Sequence, residues 1–193
     1  MRNYSEKEMT IFGGVLKLAR EGTDLSRITA KQIADAAGMG KATIYDYFSS
    51  KEEIIVKALV FALENQNMAM REKLARLSSF RERMMAIFGE ILNTVENSSS
   101  VYNIITGSEI KQAVISEAEK CLLEETAAEI NITLMNVLRR AVEKGEIACS
   151  DMEYASMAMT GVIFTTGKYR AEKRLPRNTI CENSYKMLIK ALS

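Results

Sequence analysis

Histidine and tryptophan are absent from the 193 residues, and proline occurs once, at Pro176. Without histidine, the Ser-His-Asp and Cys-His arrangements of nucleophilic catalysis have no base. The three cysteines, Cys121, Cys149 and Cys181, stand far apart, are odd in number and form no C-x-x-C pair. They match neither a disulfide framework nor the usual zinc-ligand spacings. No clustered carboxylate or lysine constellation stands out, so no catalytic residue, metal ligand or cofactor is assigned, and an enzyme is not expected. No apolar run approaches the roughly 20 residues of a membrane span. The polar stretch from Arg2 to Glu8 does not resemble a signal peptide, so a cytoplasmic location is expected. With one proline and ten glycines the chain has few breaks, which points to long helices and an all-α fold.

Strong charge of either sign is also missing. The chain carries 26 Lys and Arg against 25 Asp and Glu, a net charge of +1. Its first 51 residues hold eight basic against six acidic side chains, a net of +2. The whole molecule is therefore no electrostatic glove for nucleic acid. Any such contact has to come from a shaped local surface.

Such a surface is written between Ile28 and Ile55, ITAKQIADAAGMGKATIYDYFSSKEEII. Thr29-Ala30-Lys31-Gln32 has capping-box spacing and predicts a helix from about Ala30 to Ala36. Ile33, Ala34 and Ala37 form its inward face, and their small size lets a neighbouring helix approach. Gly38 marks the end of this helix. A second, very short helix fits over Lys41 to Tyr47, with Ile44 and Phe48 pointing inward. Ser50-Lys51-Glu52-Glu53 repeats the capping spacing at the start of a third. Two short helices joined by a glycine-containing turn make a helix-turn-helix. The second helix of such a unit presents its N-terminal residues to base edges.

The side chains suit that task. Lys41 can donate to a guanine edge or a phosphate, and Ala42 and the Thr43 methyl can touch a thymine methyl. The hydroxyls of Thr29, Tyr45 and Tyr47, and Lys51 at a helix start, suit phosphate oxygens. These seven residues are the expected DNA-binding set for double-stranded DNA. The competing reading is a plain helical hairpin in which the tyrosines only pack.

The same stretch resembles the N-terminal signature of the TetR family of one-component bacterial repressors. The agreement lies at Thr29, Ile33, Ala34, Ala37, Gly38, Thr43, Tyr45, Phe48, Lys51 and Glu52 and covers about the first quarter of the chain. Met39-Gly40 stands where Val-Ser is common, Ala42 where glycine is common, and Ile44 and Ile55 replace leucine. The resemblance implies a homodimer, a near-palindromic operator, and a helical body with a cavity for a small-molecule inducer.

The rest of the chain reads as helical throughout. Ser5-Glu6-Lys7-Glu8 starts a first helix with Phe12, Val15, Leu16 and Ala19 on one stripe, ending near Glu21. Arg2 and Lys7 are read as a solvated end in preference to phosphate contacts. A helix from Lys51 to about Leu77 would join a DNA-binding domain, residues 1–55, to a sensing and dimerisation domain, residues 56–193, and act as a lever. Helices follow over Phe80 to Glu96, over a short mixed segment from Val101 to Glu109, and from about Gln112 to Lys144. Ser150-Asp151-Met152-Glu153 offers a further capping box.

Tyr154 to Lys168 is apolar nearly all round, as a helix buried on several sides would be. With the final helix it is the expected four-helix dimer interface, through Met157, Gly161, Phe164, Tyr185, Leu188 and Leu192. Packing within one subunit is the alternative. Candidate walls for the inducer, expected to be hydrophobic, are Phe88, Ile91, Ile105, Cys121 and Phe164. Several methionines add adaptable surface, though ordinary core packing explains any one of them. Glu90, Glu109 and Glu125 suit a cationic ligand or a solvated face equally.

The function expected is a ligand-responsive transcription regulator, a repressor in preference to an activator. A lipid- or drug-binding protein with a vestigial helix-turn-helix, and a metal-free helical enzyme, are the competing classes.

Overall fold

Capping side chains and apolar spacing decide where the helices begin and which face they bury. The computed structural model describes residues 2–97, 116–172 and 175–192. Among these are eight helices and no strand: α1 (Glu6–Arg20), α2 (Ala30–Ala37), α3 (Lys41–Tyr45), α4 (Lys51–Ala75), α5 (Phe80–Asn97), α6 (Glu117–Glu143), α7 (Met152–Glu172) and α8 (Arg177–Leu192). The all-α expectation is met. The predicted segment from Val101 to Glu109, with Ile105, and the predicted helix start near Gln112 lie outside the described residues.

Two helix starts form as expected. Ser5 and Glu8 close a reciprocal box at α1, and Thr29 and Gln32 do so at α2. Two others differ. At α4, Ser50 Oγ accepts from the Glu53 N–H at 3.0 Å, but the Glu53 carboxylate reaches one residue further back, to the N–H and hydroxyl of Ser49, each at 2.7 Å. At α7, Asp151 is the cap in place of Ser150: its carboxylate accepts from the N–H groups of Glu153 and Tyr154 at 3.0 Å. A carboxylate one residue nearer the helix offers the helix N–H groups a charged acceptor, which outcompetes a hydroxyl. The end of α4 falls at Ala75, two residues short of the expected Leu77.

The chain forms two compact units. One comprises the described residues of Met1–Gln66 and Asn97–Ala128, the other those of Asn67–Glu96 and Glu129–Ser193. Helices α4 and α6 contribute to both.

The core of the first unit joins Phe12 and Val15 of α1, Ile33 and Ala34 of α2, Ile44 and Phe48 around α3, and Ile54, Ala58 and Leu59 of α4. Four rings cluster there, with Phe12 meeting Tyr4, Phe48 and Phe61 at centroid distances of 5.2, 5.8 and 5.6 Å. Helices α1 and α2 touch at Gly14, where a Cβ would lie 2.9 Å from the Ala37 backbone nitrogen. The small residues of α2 thus meet a glycine of α1, and that close approach sets where α2 lies. Arg2 is no solvated end. Its guanidinium pairs with the buried Glu64 of α4 and, at 2.7 Å, with Glu125 of α6. Glu125, read from the sequence as a ligand partner or a solvated acid, is exposed and pairs with Arg2.

The core of the second unit gathers Phe80, Met84, Phe88 and Leu92 of α5, Val137, Leu138 and Ala141 of α6, Met159 and Val162 of α7, and Ile180 and Leu188 of α8. Charged hydrogen bonds fasten its ends. Glu146 accepts from the Phe80 N–H, and Arg177 pairs with Glu96. At the start of α5 the exposed Glu82 carboxylate accepts from the N–H groups of Ser79 and Ser78, and these hydrogen bonds pull its pKa down to about 2.

Candidate nucleic-acid interface and effector cleft

The helix-turn-helix is assembled by the backbone before any DNA is considered. Gly38, at φ 66°, puts the chain in the left-handed region, where a side chain would be strained. The turn is closed by hydrogen bonds from the N–H of Gly38 to the Asp35 carbonyl and from that of Met39 to the Ala34 carbonyl. Gly40 then starts α3 without any side-chain cap. The short α3 cannot be stable alone. It is held by Ile44, fully buried within it, and by Phe48, 2% exposed just beyond it. Burying each such side chain contributes roughly 1.5–3 kcal/mol.

With Ile44 turned inward, the other side chains of α3 face outward. Lys41, Ala42 and Tyr45 are exposed and Thr43 is half-buried; just beyond, Tyr47 is exposed. Tyr45 and Tyr47 keep 46% and 37% of their surface open, a large fraction for rings beside a well-packed core. Each carries a cation. The Lys41 ammonium lies 5.9 Å from the Tyr45 ring centre, and that of Lys7, from α1, lies 5.8 Å from the Tyr47 ring. A cation over an aromatic face gains on the order of 0.5–1 kcal/mol at an exposed site. Each pairing keeps a positive charge beside an exposed tyrosine ring. Lys7 is exposed, as the sequence predicts; its approach to Tyr47 is not visible in one dimension.

Two members of the predicted set have internal work. The Thr29 hydroxyl is engaged with Gln32 in the α2 cap. The Lys51 ammonium donates to the carbonyls of Ile28 and Ser26 at 3.0 and 3.3 Å, tying the loop before α2 to the start of α4.

The candidate ligand walls differ in exposure among the described residues. Phe88 is fully buried in the second core, Ile91 is half-buried, Phe164 is 47% exposed and Cys121 is exposed on the first unit. A cleft of about 150 Å³ does open in the second unit, lined in part by Arg71, Leu74, Arg83, Asn136, Val137 and Arg140. No sequence pattern pointed to it, since its lining is spread over about 70 residues.

The candidate dimer residues divide by exposure. Met157 is 69% exposed, and Gly161 and Phe164 are open on the same stripe of α7, with Tyr154 beside them. On the opposite side of α7, Ala155, Met159 and Val162 are buried. Leu188 sits inside the core of its own unit, Tyr185 is half-buried against Phe80 and under Arg81, and Leu192 is half-buried. The all-round apolar pattern of α7 therefore serves this chain's core on one side only.

Residues 22–58 match the family model of bacterial regulatory proteins of the tetR family. An uncharacterized HTH-type transcriptional regulator of Bacillus subtilis, YezE, is 25% identical over 72% of this chain and 69% of its own length. The HTH-type transcriptional activator FasR of Mycolicibacterium smegmatis is 31% identical over 74 residues, 38% of this chain and 34% of that protein. Among solved structures, the transcriptional regulator FadR of Bacillus subtilis in complex with stearoyl-CoA superposes with a TM-score of 0.77 at 18% identity, covering 96% of this chain and 99% of that one. No described helix is long and apolar enough to cross a membrane. No group of three His, Cys, Asp or Glu side chains among the described residues is placed to hold a metal ion.

Proposed function

We propose that the chain is a transcriptional regulator of the tetR family of bacterial regulatory proteins, whose model residues 22–58 match, that it reads a near-palindromic operator as a homodimer, and that it releases the operator on binding a small molecule. Residues 1–55 are the reading head, and the remainder senses and dimerises. The observation that carries this is the outward face of α3, where Lys41 and Tyr45 stand exposed while Ile44 anchors the helix from behind. A ligand carrier with a vestigial head has no use for a lysine-bearing aromatic face of this kind.

Each head places α3 in a major groove. Lys41 meets a base edge, Ala42 and Thr43 approach a thymine methyl, and Tyr45, Tyr47 and Lys7 take phosphates. Lys51 lies at the start of α4, where backbone N–H groups favour a phosphate, and Thr29 contributes through the position of the α2 start that its cap fixes. A two-fold dimer sets the half-site centres about 34–36 Å apart or at a multiple of that distance. Met157, Gly161 and Phe164 are the proposed centre of the dimer contact.

The effector is a small molecule, hydrophobic in part, as the stearoyl-CoA in the FadR structure is. It acts by binding one conformation of the dimer better than the other, since only differential affinity shifts an equilibrium. Repression is the proposed outcome at a promoter-overlapping operator. The similarity to FasR, an activator, supports activation as the alternative outcome.

The test is fluorescence anisotropy of the purified protein on duplexes selected from a random pool, against scrambled DNA. Tight selective binding that falls on every sequence in Tyr45→Phe, and changes sequence preference in Lys41→Ala, supports the assignment. Failure to select any duplex overturns it.

A further inference from the structure

We infer that the arginine-lined cleft of the second unit is a binding site for the phosphate group of a small-molecule ligand. The role given to it, as part of the sensor, rests on the regulator reading above; the site itself does not.

The cleft brings together Arg71 of α4, Arg83 of α5 and Arg140 of α6, three cations with no acid in the lining. None of the three has an ion-pair partner among the described residues. Arg71 and Arg140 are exposed, but Arg83 is only 2% exposed. A buried guanidinium without a carboxylate is expensive unless its donors are satisfied. Arg83 satisfies part of its fork on the end of α4: Nη2 donates to the Leu77 carbonyl at 2.6 Å and lies 3.4 Å from that of Ser78, with Nε 3.5 Å from that of Leu74. A helix-end brace explains those two nitrogens. It does not explain Nη1, which is buried and has no hydrogen-bond partner. Arg83 lines the cleft, and a turn of its guanidinium towards an anion seated there would give Nη1 the acceptor it lacks.

Charge and shape narrow the class. Three guanidinium groups exceed what one carboxylate neutralises, and their planar forks match phosphate oxygens. Asn136 accepts from Arg139 through its carbonyl oxygen, which leaves its amide N–H groups to donate. A volume of about 150 Å³ equals roughly five waters at ~30 Å³ each. That takes a phosphate or diphosphate but falls below the roughly 300 Å³ at which pockets for whole drug-sized ligands begin. The remainder of the ligand leaves through the mouth, past the apolar sides of Leu74, Ala75 and Val137.

The probe is inorganic pyrophosphate, titrated calorimetrically into the full chain at constant ionic strength. Wild-type protein is expected to bind it. Arg71→Gln and Arg140→Gln, both at exposed positions, each weaken binding on the order of tenfold, as loss of a charge-assisted contact does. Arg81→Gln removes the same charge outside the cleft and leaves binding unchanged.

Absence of pyrophosphate binding to wild type overturns the site. So does an equal loss in Arg81→Gln, or a loss confined to Lys41→Ala, which would place the anion on the DNA-reading face. Operator binding measured on the same preparations separates the two conclusions. DNA binding without pyrophosphate binding removes this site alone. Pyrophosphate binding governed by Arg71 and Arg140, in a protein that selects no duplex, removes the regulator reading and leaves the site.

Discussion

Two exposed surfaces of this molecule carry large apolar side chains, and they differ in what stands beside those side chains. Around α3, Tyr45 and Tyr47 each lie beneath a lysine ammonium, from Lys41 and Lys7. Along α7, Tyr154, Met157 and Phe164 form an exposed stripe with Gly161, and α7 itself contributes no charged side chain between Glu153 and Lys168. Exposed apolar area alone marks an interaction site without naming the partner. Cations over aromatic rings suit a polyanion. An uncharged stripe with a glycine at its middle suits close approach of another protein face, which is why the head is assigned to DNA and α7 to a second copy of the chain.

Reversing the character of the α7 stripe tests the comparison most severely. Met157→Glu with Phe164→Glu leaves the monomer folded, because both positions are open, but buries unpaired carboxylates in any dimer. Self-association followed by sedimentation velocity is expected to weaken by about 100-fold or more, from a penalty of at least ~3 kcal/mol. An unchanged dimer would move the interface elsewhere.

The next largest effect lies behind the DNA face. Gly14→Ala pushes a methyl against the Ala37 backbone. Overpacking costs about 1–3 kcal/mol, which exceeds the roughly 0.5–1 kcal/mol that alanine gains over glycine within a helix. Urea denaturation should show net destabilisation, with operator affinity reduced as α2 shifts. Gly13, one residue earlier, meets nothing within 4 Å. Gly13→Ala should therefore stabilise by about 0.5–1 kcal/mol and leave DNA binding intact. Adjacent residues of one helix thus carry opposite expected signs.

On the face itself, Lys41→Ala should cost about 1–3 kcal/mol at one operator position, whereas Lys7→Ala should weaken all sequences alike and lower the salt slope by about one. Anisotropy across a set of single-base operator variants distinguishes the two. Similar behaviour of both lysines would reduce the α3 surface to a non-specific phosphate contact.

The smallest effect concerns acid. Glu82 has its folded pKa lowered from 4.5 to about 2 by the N–H groups of Ser79 and Ser78. A lowered carboxylate pKa stabilises the fold above the unfolded value and loses that contribution as pH falls from about 4.5 towards 2. The melting-temperature gap between wild type and Glu82→Gln should therefore be present at pH 6 and shrink progressively as pH falls from about 4.5 towards 2. A gap independent of pH would assign Glu82 a packing role instead.

The parts of the site that were legible in the sequence are local. Thr29 with Gln32, Gly38, and the inward pair Ile44 and Phe48 lie within a few residues of their partners, so spacing alone predicts them. Where two acceptors compete over one or two residues, spacing was less decisive: Asp151 displaced Ser150, and Glu53 reached Ser49. The illegible parts are distant. Lys7 meets Tyr47 across 40 residues, Arg2 meets Glu64 and Glu125 across 62 and 123, and Arg71, Arg83 and Arg140 converge from three helices. The all-round apolarity of α7 was visible, but not which half of it the chain's own core would take.

The sequence by itself determined the helical class, the helix-turn-helix and which side chains of its second helix point outward, because hydrogen bonds and side-chain periodicities over three to five residues specify them. Only the tertiary structure decided which cations stand over which rings, which apolar stripe stays open, and where three arginines meet around an unsatisfied guanidinium. Those depend on how helices far apart in the chain pack, and packing is selected by the burial of whole faces, to which no short window of sequence has access.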